Sequence, residues 1–117
     1  MTITRSAFLD FISNPADVAF CEIVGHKGSS PREVGAWMLI NRSGKTLGTI
    51  GGGQLEYEAV NRVKKQDWAF KFEFRMETKL GPEIGQCCGG KVVLSINRFT
   101  SELKANLLSR IDEEASN

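Results

Sequence analysis

The stretch Gly48-Thr49-Ile50-Gly51-Gly52-Gly53-Gln54-Leu55-Glu56 decides how the chain is read. Thr46 to Ile50 reads as a short strand, and from Gln54 on Leu55, Ala59 and Val63 recur at the spacing of one helical face. Three consecutive glycines therefore fall where a strand hands over to a helix. Glycine loses more backbone entropy on folding than any other residue, so such a run needs a physical reason. One reason is a strained turn that only glycine can make. Another is a bare backbone that a ligand approaches closely, with amide hydrogens at a helix N-terminus facing an anion. Glu56 and Glu58 weigh against the second, because carboxylates in the first turn already complement the helix dipole and would repel a phosphate.

Working outward, Gly35 to Asn41 and Thr46 to Ile50 read as a hairpin turning at Ser43-Gly44. Val18 to Val24 is apolar at nearly every position, as a strand buried on both faces would be, and Cys21 within it reads as a small buried hydrophobe. Thr4 caps a short first helix that carries Phe8, Phe11 and Ile12 on one side and ends at Asn14-Pro15. Downstream of the helix Gln54–Lys65, the residues Trp68, Phe70, Phe72, Phe74 and Met76 alternate with Ala69, Lys71, Glu73 and Arg75. That alternation predicts a strand over Trp68 to Met76 with an aromatic face in the core. Lys91 to Ile96 is another strand. Leu103, Leu107, Leu108 and Ile111 mark a last amphipathic helix begun by Thr100 or Ser101. Asp112, Glu113 and Glu114 oppose the dipole at its end, which predicts fraying there. The sum is one α+β domain over residues 1–117. It has about five strands in a mixed or largely antiparallel sheet, two main helices and a short N-terminal helix.

Size and charge narrow the function. A chain of 117 residues supports a single core. A formal net charge of +1 leaves no electrostatic footprint for nucleic acid or anionic membrane. The apolar run near the N-terminus is interrupted by Asp10, and Ala36 to Ile40 is far too short to span a bilayer. Three cysteines, two of them adjacent, make no disulfide framework, and the expectation is a reduced, cytoplasmic protein.

Two further glycine-rich segments stand out. Gly25 to Gly35 contains His26 and the group Ser29-Ser30-Pro31-Arg32, whose hydroxyls and guanidinium suit an anion but also suit a capped turn with a solvated arginine. Glu77 to Gly90 contains Gln86-Cys87-Cys88-Gly89-Gly90. Adjacent cysteines do not have the spacing of a zinc site. They read equally as one packed and one exposed thiol, or as a thiol beside free amides where a soft metal or a sulfur ligand could be met. Each of the three loops follows or adjoins an apolar strand, so all three are expected at one edge of the sheet.

Gly28 to Ala36, Gly48 to Glu56 and Leu80 to Gly90 together resemble, in order, the three signature segments of the XdhC/CoxI family of xanthine dehydrogenase accessory factors. The resemblance implies an accessory protein that binds molybdenum cofactor, a pterin carrying a phosphate and a metal-holding dithiolene. It also implies that the protein helps insert this cofactor into a xanthine-dehydrogenase-type enzyme. The expected binding residues are Ser29, Ser30 and Arg32, then Gly51, Gly52, Gly53, Gln54 and Glu56, and lastly Gln86, Cys87, Cys88, Gly89 and Gly90. Cys87 or Cys88 could sit near the metal and its sulfur ligands, no direct metal ligand is assigned, and no catalytic residue is expected. Family members typically continue into a C-terminal Rossmann-like domain, whereas this chain stops at Asn117. It is then a short member, half of a split pair or a fragment. A rival reading makes the domain a non-catalytic interaction or dimerisation module, pairing with a separate Rossmann-domain subunit or with the molybdoenzyme. A homo-oligomer is expected, with no nucleic acid or membrane partner. An enzyme acting on a small phosphorylated ligand comes last, since no acid/base or nucleophile/base pair can be assembled.

Overall fold

The structure, a computed structural model, describes residues 2–27, 33–79 and 90–116. Helix α1 spans Arg5–Phe11, with the Thr4 hydroxyl accepting from the Ala7 amide at its N-terminus. The strands are β1 (Val18–Lys27), β2 (Trp37–Asn41), β3 (Thr46–Gly48), β4 (Glu73–Lys79) and β5 (Lys91–Arg98). Helix α2, Gly53–Lys64, lies between β3 and β4, and α3, Ser101–Ser116, follows β5. The five strands form one sheet in the order β3-β2-β1-β5-β4, and every neighbouring pair is antiparallel. The expected α+β domain is thus present, with an antiparallel rather than mixed sheet.

Alternation along the central strand β1 explains the three layers. Ala19, Cys21 and Ile23 face one side and pack with Leu55, Ala59 and Val63 of α2. Val18 and Phe20 face the other and pack with Phe8 of α1 and Leu107 and Ile111 of α3. Both faces of β1 are buried, which is why its sequence reads as a continuous apolar run. Asn41 fixes the β2–β3 hairpin, its Oδ1 accepting from the amides of Ser43 and Lys45 at 3.1 and 2.9 Å. Among the described residues, no helix is long and apolar enough to cross a membrane.

Several boundaries differ from the sequence reading. β1 continues through Gly25 to Lys27, because a register shift between Ile23 and Gly25 lets the strand keep pairing with β5. β3 stops at Gly48, two residues early, where the glycine turn begins. The strand predicted over Trp68 to Met76 is β4, Glu73–Lys79. Trp68 and Phe70 lie outside the sheet, with Phe70 69% exposed. Their backbone carbonyls accept from the Arg98 guanidinium, and the Trp68 indole N–H donates to the Val63 carbonyl at 3.3 Å. The acidic end of α3 is helical to Ser116, with Asp112 accepting from Arg5 at 2.8 Å.

Candidate functional site

The backbone itself requires glycine at the strand-to-helix junction. Gly51, Gly52 and Gly53 have φ of 118°, 76° and 63°, in the region side chains rarely adopt. A Cβ on Gly52 or Gly53 would meet nothing within 4 Å, so conformation and not crowding selects the residue. Gly48 differs, because a Cβ there would stand 2.9 Å from the Trp37 carbonyl oxygen of the adjacent strand.

The turn closes around Glu56. One carboxylate oxygen accepts from the Ile50 amide at 3.0 Å, from the Gly52 amide at 2.8 Å and from the Thr49 hydroxyl. The Thr49 hydroxyl oxygen accepts in turn from the Gly51 amide at 3.1 Å. A helix N-terminus favours an anion, and here the chain supplies its own. The amides of Ile50, Gly51 and Gly52 therefore donate inward, and the turn does not present them to an external phosphate. Sequence reasoning placed Glu56 in the site but missed Thr49. The signal available for Thr49 is a hydroxyl at the strand end with an acid seven residues later.

Beneath this turn lies Cys21, fully buried in β1. Its thiol pKa is pushed up to about 12, first by burial and then by the Glu56 and Glu22 carboxylates. A neutral, inaccessible thiol is inert, in line with its reading as a small hydrophobe. Gln54 is exposed at the start of α2, its side-chain amide 3.4 Å from Glu58. Gly90 is buried immediately before β5. His26 lies exposed near the end of β1, opposite Val92, rather than in a loop.

Ser29, Ser30, Arg32, Gln86, Cys87, Cys88 and Gly89 fall outside the described residues. The residues that flank them are placed. Lys27 pairs with Lys91, and Lys91 with Lys79, so these three described residues lie together at one end of the sheet. β3 runs from Thr46 opposite Ile40 to Gly48 opposite Met38, toward that same end, and the glycine turn follows directly. An open cavity of about 520 Å³ lies there on the α3 side. Trp37, Thr49, Arg110, Ile111 and Glu114 are among the residues lining it. Arg110 is 3.8 Å from Glu22, and Thr49 joins the cavity to the glycine turn. No sequence pattern marks this cavity, because its walls come from distant segments. Among the described residues, no group of three His, Cys, Asp or Glu side chains is placed to hold a metal ion.

The model of the XdhC and CoxI family matches residues 12–66, a span from the end of α1 past the glycine turn and α2. The chain is 33% identical over 82 residues to Uncharacterized protein YqeB of Escherichia coli K12, covering 68% of this chain and 15% of that protein. It is 25% identical over 96 residues to a probable xanthine dehydrogenase subunit of Bacillus subtilis, covering 78% of this chain and 29% of that protein. A crystal structure of a xanthine dehydrogenase from Bacillus halodurans shares the fold, with a TM-score of 0.67 at 21% identity. The likeness covers 97% of this chain and 36% of that one. The chain thus spans well under half the length of each of these relatives.

Proposed function

The chain belongs to the XdhC and CoxI family, and from that membership we propose that it is an accessory protein for molybdenum hydroxylase maturation. In this reading it binds molybdenum cofactor as cargo at the loop end of the sheet and helps insert it into a xanthine-dehydrogenase-type enzyme. The observation that supports the reading is that Lys27, Gly48, Lys79 and Lys91, which flank or adjoin the three glycine-rich segments, lie at one end of the sheet. With the amides of Ile50, Gly51 and Gly52 turned inward, the glycine turn is a poor cradle for a phosphate. The phosphate therefore falls to Ser29, Ser30 and Arg32, whose hydroxyls and fork-shaped guanidinium suit it. Gly51, Gly52, Gly53 and Gln54 form the wall beside it, with Glu56 holding that wall in shape. Cys87 or Cys88, with Gln86, Gly89 and Gly90, takes the sulfur and metal side of the cargo.

The test is to mix the purified chain with released cofactor and measure molybdenum and pterin in the protein fraction after gel filtration. Retention near one equivalent is expected, with Arg32→Ala losing the pterin and Cys87→Ser/Cys88→Ser weakening hold on the sulfurated form. A folded chain that retains neither molybdenum nor pterin overturns the proposal.

A second reading makes the domain a non-catalytic interaction module that docks on the molybdoenzyme or on a separate Rossmann-domain subunit. The filled anion position at Glu56 favours it, since the best-defined nest among the described residues has no room for a ligand's charge. Capture of the cofactor-free molybdoenzyme by a chain that binds no cofactor would select this reading over the first.

A further inference from the structure

Among the described residues, strand β4 is the outer strand of the sheet on the side away from β3. It is seven residues long, pairs with β5 without a register shift, and contains neither proline nor glycine. Natural edges are blunted by a bulge, a proline, a short length or charged side chains, and of these β4 carries only the charges. Its side chains instead alternate strictly. Phe74, Met76 and Thr78 turn toward α2 and are half-buried or buried, while Glu73, Arg75, Glu77 and Lys79 are exposed on the opposite face.

The exposed row reads minus, plus, minus, plus, and it is antisymmetric about Met76. We propose that β4 is a self-pairing edge, through which two copies of this chain join their sheets antiparallel about a two-fold axis at Met76. In that register Glu73 stands opposite the partner copy's lysine at the same strand's far end, and Arg75 opposite the partner copy's glutamate. Every exposed pair is then of opposite sign. Sliding the strands by two residues either way puts like charges opposite each other, and a parallel, in-register arrangement puts each charge beside its own copy. A one-residue slip would turn the buried row outward. Charge and burial therefore select this register as the one that pairs all four exposed residues with opposite signs.

The backbone parity agrees. The Arg98 amide donates to the Phe72 carbonyl at 3.1 Å, in continuation of the β4–β5 register. Even-numbered residues of β4 thus turn their amides and carbonyls toward β5, and odd-numbered ones turn theirs outward. A two-fold axis at Met76 makes a non-hydrogen-bonded pair at the centre and brings the outward groups of residues 73, 75, 77 and 79 into hydrogen-bonded pairs with the second copy. These are the residues whose charges match. Among the described residues, Glu73, Arg75 and Lys79 make no ion pair within the chain. Lys79 faces Lys91 directly across β4–β5, a like-charge pair that the second copy's Glu73 would relieve.

The experiment is sedimentation velocity, or gel filtration with light scattering, on the full chain and charge-swapped variants. The wild type is expected at twice the 12.9 kDa of one chain. Arg75→Glu and Glu77→Arg, both at exposed positions, should each give monomers, with circular dichroism showing the fold intact. The double variant Arg75→Glu/Glu77→Arg restores opposite signs across the axis and should restore the dimer. A wild-type monomer at high concentration overturns the proposal, and so does a dimer indifferent to Arg75→Glu. A double variant that folds but stays monomeric overturns the register.

Discussion

The two ends of the sheet hold their irregular backbone by opposite means. At the loop end, the Glu56 carboxylate gathers donors from Thr49, Ile50 and Gly52. At the other end, the Arg98 guanidinium gathers acceptors. It donates to the carbonyls of Trp68 and Phe70 at 2.9 and 2.8 Å and to that of Ala16, and it lies 5.0 Å over the Trp68 ring. Both charges meet the same need, since backbone polar groups that leave a ladder must find partners elsewhere. They differ in reach. Glu56 is at most seven residues from its donors and fixes one turn, whereas Arg98 is 28 to 82 residues from its acceptors and ties three segments together. The first clamp is a local device that shapes a candidate site, and the second is a tertiary staple.

That contrast makes Arg98 the more damaging residue to lose. Arg98→Ala removes charge-assisted hydrogen bonds to three carbonyls, along with the stacking on Trp68 and Phe72. A loss of about 2–4 kcal/mol in urea unfolding is expected. Arg98→Lys should recover only part of it, because an ammonium lacks the planar fork that reaches several acceptors at once. If alanine costs no more than a typical surface substitution, the stapling role is wrong.

The same contrast explains what the sequence discloses. The local clamp stands open to reading: the glycine run, the helical spacing of Leu55, Ala59 and Val63 and the acid in the first turn lie within one short stretch. So do the Thr4 cap, the Thr100 hydroxyl accepting from the Leu103 amide and the Ser43-Gly44 hairpin. Each depends on residues a few positions apart. The distal staple does not. Nothing around Trp68 signals that Arg98 will take its carbonyl, so the aromatic alternation predicts a strand from Trp68 when β4 begins at Glu73. The cavity walled by Trp37 and Arg110 is hidden for the same reason. In the candidate site, Glu56 is legible as a residue that opposes a phosphate, but the direction of its hydrogen bonds is decided by the fold.

Removing the local clamp should cost less. Glu56→Ala leaves the Ile50 and Gly52 amides and the Thr49 hydroxyl without their acceptor, for an expected loss of about 1–2 kcal/mol. It also vacates an anion position. Added sulfate should then raise the thermal midpoint of Glu56→Ala more than that of the wild type, by mass action on the folded state. Equal responses would mean that the freed amides do not form a nest.

The smallest expected effect tests whether the Glu56 charge is felt in the core beneath it. The folded Cys21 pKa stands at about 12, above its ordinary value of 9.0, chiefly through burial and next through Glu56. A thiol whose pKa is raised on folding holds its proton more tightly in the native state. Its contribution is therefore complete below about pH 9 and falls away as pH rises toward 12, by about 1.4 kcal/mol per pH unit at most. Cys21→Ala should remove this alkaline loss while costing some packing at every pH. Glu56→Gln keeps the thiol buried but deletes one of the charges that disfavour the thiolate, so the Cys21 pKa should fall without reaching its ordinary value. The alkaline limb of stability against pH should then become slightly shallower than in the wild type, measured relative to each protein's own value at pH 8. An unchanged limb would leave the shift to burial and Glu22 and make Glu56 a purely local device. A limb abolished altogether would mean that losing the carboxylate lets water reach Cys21, and that the turn seals the core as well as shaping the loop end.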